Sequence, residues 1–238
     1  MGGSASASFT ACETPASEAD DSRLAQFKTD VSILQHAWDH FNSQVHPDDN
    51  QPNTPLFFDL LSGQNYPLTQ AFAWAGWRTM QPLDLKIDPE FNLNHSSVRK
   101  AIAAKLPECH LCSAAMDCST KSRVREIAMP GGGPQPLRST THPRGLPSLT
   151  VADRDRVESD NQCSDFLLAI QDVMHHNGRG AFRENPRRSL HWVDPVEAFL
   201  FSQGDWHDYE YDACCFLATR AKHKPLDITS KQCRNYQT

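Results

Sequence analysis

The sequence predicts an α/β chain in which a mostly parallel sheet carries helices on both faces. Two observations predict it. From Leu56 onward, short apolar runs alternate with stretches of helical periodicity at the interval of strand–helix units. The chain is also long enough, at 238 residues with 39% hydrophobic content, to build one such domain with a sizeable core, or two small ones. It has no run of 18 apolar residues, so no membrane span or membrane partner is expected.

The elements follow in order. Residues 1–22 are rich in Ser, Ala, Asp and Glu and are expected to form a disordered tail. Gly2 followed by Ser6, with Cys12 nearby, formally matches an acylation pattern. Residues 23–55 hold a helix and a linker. Leu24, Phe27, Val31, Leu34, Trp38 and Phe41 fall at helical steps over 24–42, and Pro47, Pro52 and Pro55 mark the linker His46–Pro55. The core then runs over 56–238. Leu56–Leu61 reads as a buried strand, and Pro67 suits the first turn of a helix that Gly76 closes. Arg78–Leu83 is a second strand, Ser97–Lys105 a helix and His110–Ala115 a third strand. Ser164 is expected to cap a helix through Met174, followed by the strand Ala181–Glu184. Asp194-Pro195-Val196-Glu197 is a capping box opening a helix to Gln203, and Tyr209–Leu217 alternates as a strand does.

The net charge of −6 disfavours a nucleic-acid partner only if it is spread evenly. It is not: residues 1–60 carry nine acids and two bases, which leaves the remainder at +1. Residues 119–156 are Gly/Pro-rich and carry seven bases, Lys121, Arg123, Arg125, Arg138, Arg144, Arg154 and Arg156, against three acids. The eight cysteines show no disulfide framework and no secretory signal precedes them, which points to free thiols inside a cell, in nucleus or cytoplasm. Cys109-x-x-Cys112 lacks a second ligand pair, so no metal is expected.

In a parallel α/β fold, ligands bind beyond the carboxyl ends of the strands. Three stretches fall there. Asp59 leads into the turn Ser62-Gly63, and Asp84 follows the next strand at the spacing of a ribose-binding acid. Cys118 stands directly after a strand, at the head of the basic segment, where it is a candidate nucleophile. Glu184 ends a strand on the same expected edge.

Taken in order, Asp59-Leu60-Leu61-Ser62-Gly63, Ala73-Trp74-Ala75-Gly76-Trp77, Cys118 and Glu184-Asn185-Pro186 resemble a compact cytosine-5 DNA methyltransferase core. Arg138-Ser139, His142-Pro143-Arg144-Gly145-Leu146-Pro147 and Arg187-Arg188-Ser189-Leu190-His191-Trp192 resemble its divergent eukaryotic members, and the similarity spans residues 56–230. The resemblance implies a Rossmann-like S-adenosylmethionine-dependent methyltransferase fold. It implies Cys118 as nucleophile toward C6 of an extruded cytosine, Glu184 on N3, and Arg220 as a supporting base. It assigns Asp59, Ser62, Gly63, Asp84 and Asn92 to S-adenosylmethionine. Lys121, Arg123, Arg125, Arg138 and Arg144 would lie on a mobile loop closing over DNA, or over RNA. Met116-Asp117 replace the family's Pro-Pro, and an anion beside the thiol is expected to raise its pKa. No target-recognition segment is visible, so recognition is expected from a partner or another domain. A catalytically inactive relative that binds nucleic acid or protein, and an RNA cytosine methyltransferase, stand as the alternatives.

Overall fold

The structure, a computed structural model, describes residues 18–44, 54–127, 131–203, 206–211 and 230–235. The expectations for residues 1–17, including the acylation pattern, for most of the linker, for the strand Tyr209–Leu217 beyond Tyr211, and for Arg220 lie outside the described residues.

The chain is α/β. In order it forms α1 (Glu18–Gln44), β1 (Leu56–Leu60), α2 (Pro67–Trp74), β2 (Arg78–Thr79), α3 (Ser96–Lys105) and β3 (Leu111–Ala115). It continues with α4 (Val151–His176), β4 (Gly180–Pro186), α5 (Pro195–Ser202), β5 (His207–Tyr211) and β6 (Ser230–Asn235). The sheet order is β2-β1-β3-β4-β6-β5. The first four strands are parallel, and β6 pairs antiparallel with both β4 and β5. β1 (LFFDL) is buried at every position, as a parallel strand covered on both faces must be.

Successive side chains of a strand face opposite ways, which assigns the helices to layers. Phe58 and Leu60 of β1, Cys112 and Ala114 of β3 and Ala181 of β4 join the main core. They meet Phe27, Leu34 and Trp38 of α1, Ile102 of α3, Phe166 and Ile170 of α4, and Leu200 of α5. On the opposite face Phe57 stacks on Phe72 of α2 at 3.9 Å and on Phe182 at 6.4 Å. α1 is thus part of the main layer, and it begins at Glu18, within the stretch expected to be disordered.

Three local expectations need correction. The edge segment 78–83 forms a ladder only at Arg78–Thr79 and rejoins β1 through a single bridge between Leu60 and Leu83. Pro82, with no N–H to give, interrupts it. Ser164 does not cap α4. That helix starts at Val151, where the Thr150 hydroxyl accepts from Asp153 N at 3.2 Å, and Ser164 is buried in its middle. Its other end is a Schellman turn: Gly178 at φ 67 donates to His175 O, and Arg179 N donates to Met174 O. At α5, Asp194 caps Val196 N at 3.0 Å, but Glu197 pairs with Arg183 instead of closing the box.

Candidate functional site

β1 connects to β2 on one side of the sheet, and the chain then crosses to β3 on the other side of β1. The edge beyond the carboxyl ends of β1 and β3 is therefore the topological switch point, where a parallel α/β sheet opens to a ligand. The loops that line it are 61–66 and 116–122.

The first loop is a tight, left-handed turn. Leu61, Gly63 and Tyr66 have φ of 57, 71 and 34, and two of these are non-glycine residues in a region that costs L-residues energy. Asp84 holds the turn: Oδ2 accepts from Gly63 N at 2.8 Å and Oδ1 from Lys86 N at 2.7 Å. Nothing lies within 4 Å of where a Cβ on Gly63 would sit. The glycine is there for its backbone conformation, and the turn faces open space. Ser62 Oγ donates to the Gly63 carbonyl at 3.2 Å.

Two expected cofactor residues are engaged elsewhere. Asp59 is buried and accepts from Ser113 Oγ at 2.6 Å and Thr69 Oγ1 at 2.9 Å, which ties β1, β3 and α2 together beneath the turn. Burial pushes its carboxyl above the ordinary range despite both hydrogen bonds. Asn92 accepts from Asn94 N at 2.9 Å and so closes its own turn ahead of α3. Neither Ser113 nor Thr69 carries a sequence signal, because each matters only through the long-range contact with Asp59.

The second loop brings Cys118 and Glu184 to the same edge. The register pairs Ala115 of β3 with Glu184 of β4, three residues before the cysteine. Asn185, fully buried, donates from Nδ2 to Met116 O at 3.0 Å and fastens the end of β4 to the approach to Cys118. Asp117 accepts from Ser119 N and Ser119 Oγ, both at 2.8 Å, and Lys121 N donates to Cys118 O at 3.1 Å. Burial raises the Cys118 thiol pKa, and the Asp117 and Glu184 carboxylates add to the rise. This is the direction expected from Met116-Asp117. Glu184 is half-buried and accepts no hydrogen bond among the described residues; burial raises its carboxyl as well. The edge therefore holds a thiol and a carboxyl within electrostatic reach of each other, each pushed toward its neutral form.

The basic segment is not the solvent-facing lid that was expected. Lys121 and Arg138 are 0% and 2% exposed. Both pair with Asp160 of α4, at 3.1 and 2.9 Å. Arg144 is also buried, between Asp194 at 2.7 Å and Asp165. Lys121, Arg138 and Arg144 are therefore spent on carboxylates and do not face phosphates; the physical reason is that α4 begins early enough to set its acids beneath them. Arg123 and Arg188 are exposed, while Arg125 and Arg156 reach Ser119 beside Cys118, at 2.7 and 3.1 Å. Cys109, Cys112, Cys118 and Cys163 are free thiols, and no described helix is long and apolar enough to cross a membrane.

Comparisons with protein-family models, with curated proteins and with solved structures returned no match.

Proposed function

We propose that the chain is a Rossmann-like, S-adenosylmethionine-binding protein of the cytosine-5 methyltransferase type, acting on cytosine in nucleic acid through Cys118. One observation carries the reading: Cys118, in the loop after β3, and Glu184, in β4, lie at the carboxyl-end edge of the sheet within electrostatic reach of each other, the same edge as the turn that Asp84 holds. The turn fits a nucleoside cofactor in part. Gly63 opens onto free space, and each Asp84 oxygen keeps a lone pair beyond its backbone contact. S-adenosylmethionine, when bound there, would supply the methyl group.

The chemistry of the two side chains is coupled. A neutral Glu184 can donate to N3 of a flipped cytosine, which stabilises the ring as it becomes electron-rich. In donating it carries no charge toward Cys118 and so removes one of the three carboxylates, with Asp117 and Asp160, that oppose thiolate formation. Base engagement thereby favours the nucleophile. Of the basic segment, Lys121, Arg138 and Arg144 are spent on carboxylates, which leaves Arg123, Arg125, Arg154 and Arg156 for phosphates. So few contacts make for weak, salt-sensitive binding, with recognition supplied by a partner or further domain. Free thiols suit a reducing, intracellular compartment.

A second reading, an inactive relative that binds through the same edge, is favoured by the raised Cys118 thiol. One experiment separates them. Incubation with S-adenosylmethionine and DNA or RNA containing 5-fluorocytosine should yield a covalent adduct that Cys118→Ala abolishes. Cofactor binding by calorimetry without any adduct on either nucleic acid selects the inactive relative. Neither binding nor adduct rejects the whole reading, and the nucleic acid that traps identifies the substrate.

A further inference from the structure

We propose that Asp160, on α4, is the positioning residue of Cys118: it gathers Thr120, Lys121 and Arg138 onto one carboxylate and so holds the cysteine's turn in place. Oδ2 accepts from Thr120 Oγ1 and from Arg138 Nη2 at 2.9 Å; Oδ1 accepts from Lys121 Nζ at 3.1 Å. The cluster is closed on itself, since Arg138 Nε donates to Thr120 Oγ1 at 3.1 Å and Lys121 Nζ reaches Ser164 Oγ.

Two backbone bonds pass this anchoring to the edge. Lys121 N donates to Cys118 O at 3.1 Å and closes the turn that carries the thiol. Lys121 O accepts from Leu190 N at 2.9 Å, which fixes the same turn to the chain that follows Glu184 and β4. The lateral setting of Cys118 against Glu184 thus depends on Lys121 staying buried. It stays buried because Asp160 lies under it: without that carboxylate, two buried cations lose their common counter-charge, and the inexpensive response is for the turn to move out into water. The other holds on this stretch grip its flanks and not Lys121: Asn185 donates to Met116 O, and Asp117, Arg125 and Arg156 meet Ser119.

The catalytic meaning of the inference rests on the reading of Cys118 as a nucleophile, but its test needs neither cofactor nor nucleic acid. Iodoacetamide alkylation of the full chain, followed site by site by mass spectrometry between pH 6 and 9, reports how often the turn opens. Asp160→Asn is expected to speed Cys118 alkylation about tenfold and to lower the pH midpoint of the reaction, because it also removes a nearby negative charge. Thr120→Val keeps the charges balanced and removes one hydroxyl bridge; it should raise the rate about two- to fourfold with an unmoved midpoint. Should Asp160→Asn fail to fold, Thr120→Val carries the test alone. In both variants Cys109 and Cys112, buried under the sheet away from Asp160, should keep their wild-type rates. Unchanged Cys118 alkylation, or a parallel rise at Cys109 and Cys112, would overturn the inference, the latter by making Asp160 a general stability residue. A failed 5-fluorocytosine trap together with accelerated Cys118 alkylation would reject the enzyme and leave the positioning role intact.

Discussion

The segment that folds back on α4 and the edge that carries Cys118 adjoin one another, yet they treat buried charge in opposite ways. In the first, Lys121, Arg138 and Arg144 each meet a carboxylate: Lys121 and Arg138 outweigh burial at Asp160 and hold its carboxyl below the ordinary range, whereas Arg144 offsets burial at Asp165 only in part. In the second, Glu184 and Cys118 are desolvated with only a backbone hydrogen bond at Cys118 to offset it, and both are driven toward their neutral forms. The paired region stabilises geometry, whereas the unpaired one carries a cost that only a ligand or a proton relieves. The difference separates frame from site without any appeal to a relative.

The largest way to break the comparison is to unpair the frame. Arg138→Met leaves Asp160 short of one counter-charge and strands the Asn161 Oδ1 and Pro143 O acceptors, which Arg138 meets at 2.7 Å each. A loss of about 3–5 kcal/mol is expected, read as a fall in Tm of about 10 °C. A change within about 0.5 kcal/mol would mean that the network is not holding the segment. The next effect belongs to the turn. Gly63→Val forces a β-branched residue to φ 71, at about 1–2 kcal/mol, and it should abolish S-adenosylmethionine binding by calorimetry. Cofactor binding at wild-type strength in this variant would remove the turn from the site.

How much of this was legible in the sequence follows from the range of the interactions involved. β1, α2, α3 and α5 were readable because their signals are local: an apolar run, Pro67 at a first turn, Asp194-Pro195 at a cap. The placement of Gly63, Cys118 and Glu184 along one edge was readable too, since parallel strands set their carboxyl ends side by side. The first half of α4 was not. Residues 153–162 contain one apolar residue, Val157, and read as loop; the helix is held there by the Thr150 cap and by Asp160, Asn161 and Ser164 turned inward. Counting charge by segment failed for the same reason. Lys121 and Arg138 lie 39 and 22 residues from Asp160, and a local count records their sign but not their burial. β6 (SKQCRN) offers no apolar alternation and went unseen.

The smallest effect is the sharpest, because its sign separates the two regions. The carboxyl of Glu184 is raised by burial in the folded chain above its unfolded value of about 4.3. Its favourable contribution is therefore complete below that pH and is lost as pH rises through the folded value, so that the ionised form destabilises the fold near neutrality. Glu184→Gln removes the ionisation and keeps the shape. It should raise stability at pH 7 by about 0.5 kcal/mol, or roughly 1–2 °C in Tm, and the gain should vanish by about pH 4. Asp160, held below its ordinary range by Lys121 and Arg138 against the push of burial, runs the other way. Its contribution is present above about pH 3.9 and is lost only as pH falls through the lower folded value. Thermal melts of wild type and Glu184→Gln at pH 4 and 7 decide the point. Destabilisation by Gln at pH 7 would show that the carboxylate is paired in the fold, and would place Glu184 with the frame instead of the site.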